Sequence, residues 1–136
     1  TDCGMPPAAP AKARGIPQSV LVVDDIAINR KVLGIHLGKL GVGEIRYAEN
    51  GVKALEALAD WTPDIVLTDM WMPEMDGQQF AEAMQRDARL AAIPLVAITA
   101  DVEVESTHDT RHFAKVLAKP VTGAKLADLF AELASR

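Results

Sequence analysis

Cysteine is nearly absent: Cys3 is the one thiol in 136 residues, which excludes an internal disulfide framework and a cysteine-rich zinc site. Aromatic residues make up only 4% of the chain, so a core has to be built from Val, Ile, Leu, Met and Ala. No dense run of Lys or Arg occurs, and 14 basic residues face 19 acidic ones for a net charge of −5. Neutralising the phosphates of a nucleic acid needs clustered cations, so direct nucleic-acid binding by this chain is not expected. No apolar run approaches ~18 residues, so no membrane insertion is expected. No charged-then-apolar leader opens the sequence either. It starts at Thr1 rather than methionine, as a fragment of a longer protein would. What is present is ample apolar material, 49% of the residues, in a length suited to one domain, which excludes disorder of the chain as a whole.

The first 18 residues, TDCGMPPAAPAKARGIPQ, carry Pro6, Pro7, Pro10 and Pro17 among Ala and Gly and read as a linker or tail. The pattern changes at Ser19, and residues 19–136 are expected to form the domain. Val20 to Val23 is a short β-branched run of the kind buried on both faces of a parallel sheet, and it ends in Asp24-Asp25. Ala27 to Leu40 has helical spacing, with Ile28, Val32, Leu33, Leu37 and Leu40 expected on its inner side and Gly41 and Gly43 as its stop. Further strands are expected at Ile45–Ala48, Ile65–Thr68, Leu95–Thr99 and Phe113–Ala118. Helices are expected after Asn50, over Gln78–Arg86, over Asp101–Arg111, and over Thr122–Ser135 with Leu126, Leu129, Phe130 and Leu133 on one face. Strand–helix alternation of this kind predicts an α/β fold, (βα)5, with a doubly wound five-stranded parallel sheet and right-handed crossovers.

In open sheets of this type ligands bind beyond the carboxyl ends of the strands. Strand one ends in Asp24 and Asp25, strand three in Asp69, strand four in Thr99 and strand five in Lys119. Taken singly, an acid after a strand is as often a cap or a solvated loop residue, Thr99 a strand residue and Lys119 a surface lysine. Together they place three carboxylates, a hydroxyl and an ammonium on one edge. Three carboxylates in one place repel, and a hard divalent cation such as Mg²⁺ relieves the repulsion. Lys119 supplies a compact charge for a phosphate oxygen, and a carboxylate can serve as the phosphoryl nucleophile. His36, His108 and His112 lack metal spacing, and Met70, Met72 and Met75 read as packing and turn residues. No Gly-rich phosphate loop is present, which argues against a nucleotide- or flavin-binding protein of similar fold.

With these residues in place, the chain resembles the receiver domains of two-component response regulators. The resemblance rests on VLVVDD (Val20–Asp25), PDIVLTDMWMPEMDG (Pro63–Gly77), IPLVAITA (Ile93–Ala100) and AKP (Ala118–Pro120). It implies a flavodoxin-like fold. It implies that Asp69 accepts a phosphoryl group from a phosphohistidine, on a histidine kinase or a histidine phosphotransfer domain. Asp24, Asp25, Asp69 and the backbone carbonyl of Trp71 would hold Mg²⁺, which Mn²⁺ could replace, and Thr99 and Lys119 would contact the phosphoryl oxygens. The segment from Asp24 to Arg30, Leu40-Gly41 and MPEMDG are similar to receivers of hybrid histidine kinases, with Ile26 where Asn is usual. A cytoplasmic receiver joined by a linker to a membrane-associated kinase is the setting this implies. The family also contains pseudo-receivers, which dock partners without phosphorylation; loss of an acid, the Thr or the Lys would point to one, and none is lost. One departure stands out. Many members carry Tyr or Phe three residues before the lysine, as a rotating switch, and here that residue is Val116.

Overall fold

Five parallel strands form in a computed structural model that describes residues 16–70, 75–100, 112–119 and 121–134. They are β1 (Ser19–Val23), β2 (Glu44–Ala48), β3 (Ile65–Asp69), β4 (Leu95–Thr99) and β5 (Lys115–Ala118). The helices are α1 (Ala27–Leu40), α2 (Gly51–Leu58), α3 (Gly77–Gln85), the single turn α4 (Ala88–Ala91) and α5 (Gly123–Ala134). The sheet order is β2-β1-β3-β4-β5, every pair parallel, as the alternation predicted. The helix expected over Asp101–Arg111 lies outside the described residues.

The continuous apolar runs are explained by what covers them. Along β1, Leu21 and Val23 point to one face of the sheet and Val20 and Val22 to the other, and each face has its own core. The first core joins Val66, Leu95 and Ala97 to Ala54 and Leu58 of α2, Phe80 and Met84 of α3, and Leu90 of α4. The second joins Leu67, Val96 and Ile98 to Leu33 and Leu37 of α1 and to Leu126, Leu129 and Phe130 of α5. Ile16 packs into this second core, and the Gln18 carbonyl accepts the N–H groups of Gly43 and Glu44 at 3.0 and 2.8 Å.

Helix ends follow local chemistry. Asn50 caps α2 by accepting the Lys53 N–H at 2.8 Å. Asp76 and Gln79 form a reciprocal capping box at the start of α3. Gly41 ends α1 at φ 99°, a backbone state that glycine reaches without strain.

Three expectations need correction. Ile28 and Val32 do not face the core: they are 61% and 41% exposed. Leu33, Leu37 and Leu40, spaced i, i+4, i+7, already fill the inner stripe of α1, so Ile28, Val32 and Ile35 form a second stripe at the same spacing on its outer side. Strand β5 starts at Lys115 rather than Phe113, because its pairing begins opposite Val96, one residue into β4. Phe113 instead packs into the first core. The turn α4 was not anticipated. Asp87 caps it through the Arg89 N–H at 2.9 Å, and the Arg89 guanidinium donates to the terminal Leu58 carbonyl of α2 at 2.5 Å.

The chain after β3 folds back tightly. The Gly77 N–H donates to the Met70 carbonyl at 2.9 Å, and a Cβ on Gly77 would stand 2.8 Å from the Asp69 carbonyl oxygen and 2.9 Å from the Met70 Cα. Both obstacles are backbone, so neither can give cheaply. Gly77→Ala is therefore expected to cost about 1–3 kcal/mol by chemical denaturation. Gly38→Ala, within α1 and with open space around it, is expected to be neutral or to stabilise by up to about 1 kcal/mol.

Candidate functional site

The sheet order reverses between β1 and β3, since the chain runs outward from β1 to β2 on one side and from β3 to β4 and β5 on the other. A crevice opens beyond the carboxyl ends of the strands at such a point. The acids expected there are brought together: carboxylate oxygens of Asp24, Asp25 and Asp69 lie within 4.8 Å of one another. Asp24 and Asp69 are buried at 2% and 7% exposure, and Asp25 is exposed. Thr99 closes β4 and is buried. Lys119 follows β5, with its N–H on the Thr99 carbonyl at 2.8 Å. Its Nζ reaches Asp69 Oδ2 at 3.2 Å and Asp24 Oδ2 at 3.8 Å. Trp71 lies outside the described residues.

Asp24 is held through both its backbone and its side chain. Its N–H donates to the Ala48 carbonyl at 3.1 Å, and its own carbonyl accepts Arg30 Nη1 at 2.7 Å. Its Oδ1 accepts the Ile26 N–H at 2.9 Å. Burial pushes its carboxyl above the usual carboxylate range, and the Asp69 charge adds to this; the Ile26 N–H, Lys119 and Asn29 pull the other way. Sequence reasoning gave Asn29 and Arg30 no part in this site. The available signal was a cation in the first turn of α1, where the helix dipole disfavours it.

The donor set fits a hard divalent cation. Three carboxylates converge from two adjacent strands, one of them solvent-accessible, as Mg²⁺ requires when it keeps several waters. The arrangement can also hold a phosphoryl group on one carboxylate, with an ammonium already at hydrogen-bonding distance to receive the added charge. Beside Asp24 and Lys119, a pocket of about 360 Å³ is walled by Val32 and Leu33 of α1, Ile98 and Val121.

The raised Asp24 carboxyl sets a sign. The folded chain holds that proton more tightly than the unfolded chain, so metal-free stability falls as pH rises from the ordinary value of 3.8 through the raised folded value. Asp24→Asn keeps an acceptor for Ile26 and removes the charge. In EDTA at pH 7 it is expected to be more stable than the wild type and to melt at a higher temperature. The gain should vanish once the pH is below the ordinary carboxylate value. Added Mg²⁺ should stabilise the wild-type chain and not the variant, and thermal melts across pH check both.

Comparison with known proteins follows the same line. The sensor histidine kinase RcsC of Escherichia coli is 39% identical over 106 residues, covering 76% of this chain and 11% of that protein. RcsC of Salmonella typhi is 36% identical over 119 residues, covering 86% of this chain and 12% of that protein. The chain thus spans about one eighth or less of the relatives it matches. The crystal structure of the receiver domain of the sensor histidine kinase PA1611 from Pseudomonas aeruginosa PAO1, with a magnesium ion in its active-site cleft, superposes with a TM-score of 0.80 at 22% identity, covering 88% of this chain and 98% of that one. The response regulator protein TrrA from Thermotoga maritima, in complex with Mg²⁺ and BeF, gives 0.77 at 26% identity, covering 85% and 98%. Residues 20–131 match the family described as the response regulator receiver domain. With that match, a flavodoxin-like sheet and its acids at the β1–β3 reversal, the chain, similar to part of the sensor histidine kinase RcsC, belongs to the response regulator receiver domain family.

Proposed function

We propose that Asp69 is the phosphorylated residue of this receiver, and that Asp24, Asp25 and the Trp71 carbonyl join it in holding Mg²⁺. Mn²⁺, which also prefers oxygen ligands, is expected to replace Mg²⁺. The observation that carries the reading is the position of Lys119 Nζ, in reach of both Asp69 and Asp24. The donor is a phosphohistidine on a histidine kinase or a histidine phosphotransfer domain. The Asp69 carboxylate attacks phosphorus, the P–N bond breaks, and the imidazole leaves and takes up a proton. Lys119 shifts from carboxylate to phosphoryl oxygen as the new O–P bond forms, and Thr99 donates its hydroxyl to another. When bound, the cation neutralises charge on the transferring group. The reading of a docking module that works without phosphorylation has no support in a site that keeps every acid, the threonine and the lysine.

We take residues 19–136 as the receiver and 1–18 as a linker toward the rest of a longer kinase, with the domain on the cytoplasmic side. No helix among the described residues is long and apolar enough to cross a membrane. The exposed stripe Ile28, Val32 and Ile35 runs along α1, and Val32 also lines the pocket beside Lys119. A donor protein that brings a phosphoimidazole to Asp69 covers this stripe.

Acetyl phosphate with Mg²⁺ should add one phosphoryl group by intact mass. Asp69→Asn and EDTA should each abolish it, and full labelling in the variant would reassign the acceptor. Val32→Glu should slow transfer from a phosphohistidine protein by about tenfold or more, since it buries a charge under the partner. Labelling by acetyl phosphate should stay within about twofold in the same variant, because no docking is needed.

A further inference from the structure

Arg30 sits in the first turn of α1, its own N–H bonded to the Ile26 carbonyl at 3.2 Å. A cation there opposes the helix dipole. The helix has no acid in its first turn and no side-chain cap, because Ile26 at the N-cap offers no acceptor. The guanidinium turns back toward the loop instead and donates to the Asp24 carbonyl at 2.7 Å. Both backbone groups of Asp24 are therefore tied, the N–H to the end of β2 and the carbonyl to α1. This loop carries two adjacent acids with a third carboxylate within 4.8 Å, and their mutual repulsion acts to spread it. An arginine is suited to such a tie, being permanently charged with a planar set of donors.

We propose that Arg30 is a positioning residue for the divalent cation: by clamping the Asp24 carbonyl it holds the Asp24-Asp25 loop in its binding shape before the cation arrives. The inference rests on the reading of Asp24, Asp25 and Asp69 as the cation's ligands. Its sign separates it from simple electrostatics. As a nearby positive charge, Arg30 repels Mg²⁺, and its removal would tighten binding. As a clamp, its removal loosens the ligands and weakens binding.

The test is Mg²⁺ titration of the full 136-residue chain by calorimetry, with acetyl phosphate labelling as a second readout. Arg30→Met is expected to raise the Mg²⁺ dissociation constant about tenfold, the size seen when groups that orient metal ligands are removed. Arg30→Lys, with an ammonium in place of the fork, should recover part of the loss. Labelling should fall at limiting Mg²⁺ and return to within about twofold of wild type at saturation, a split that general loss of structure would not give. An unchanged or lower dissociation constant, or a labelling defect that Mg²⁺ does not repair, overturns the proposal. Should Arg30→Met not fold, Arg30→Gln is expected to weaken binding in the same direction, and wild-type affinity in it overturns the proposal. If Asp24→Asn and Asp69→Asn leave Mg²⁺ binding intact, the ligand assignment fails and the clamp with it. If they abolish binding while Arg30→Met does not weaken it, the clamp alone is wrong.

Discussion

Asp24 and Asp69 share one ammonium. Lys119 Nζ stands 3.8 Å from the first and 3.2 Å from the second, and both carboxylates are nearly inaccessible to water. Charges of one sign at such separation in a partly desolvated crevice are costly to hold together. The counter-charge comes from beyond β5, at the far edge of the sheet, and its backbone is hung on the Thr99 carbonyl at the end of β4. The acids on β1 and β3 thus draw part of their balance from a residue beyond the last strand of the sheet. The same crowding of carboxylates that adds to the rise of the Asp24 carboxyl is what suits the crevice to a hard divalent cation.

Much of this was legible in the sequence because two independent readings met. Apolar runs without alternation implied strands covered on both faces, and each run ended in a residue with chemistry: Asp24-Asp25, Asp69, Thr99, Lys119. Strand ends are where a parallel sheet binds, so the fold reading located the site without reference to any single residue. The helix caps Asn50 and Asp76 were equally readable, since their side-chain acceptors act over three residues.

The failures have a common cause, which is that local pattern does not say which neighbour arrives. In α1 both Ile28–Val32–Ile35 and Leu33–Leu37–Leu40 are valid apolar stripes, and only the position of the sheet decides which is buried. The turn α4 is four residues long and depends on Arg89 reaching the end of α2, some thirty positions back. The tie from Arg30 to the Asp24 carbonyl leaves no sequence spacing of its own. Val116 is a related case. As a residue type it only marks the absence of an aromatic ring; in the fold it is half-buried in β5, opposite Ala97 and packed against the first core.

The burial of the strands is graded from centre to edge. β3 and β4 are buried along their whole length and β1 along all but its first residue, while most of β2 and all of β5 retain solvent contact. Backbone amides at the centre of such a sheet exchange with solvent only through the largest opening of the domain, and those at its rim through smaller ones. Asp69 ends one of the two fully buried strands, whereas Ile28, Val32 and Ile35 lie on the exposed side of α1. Opening at the rim of the sheet can therefore take place while β3, the strand that carries Asp69, stays closed.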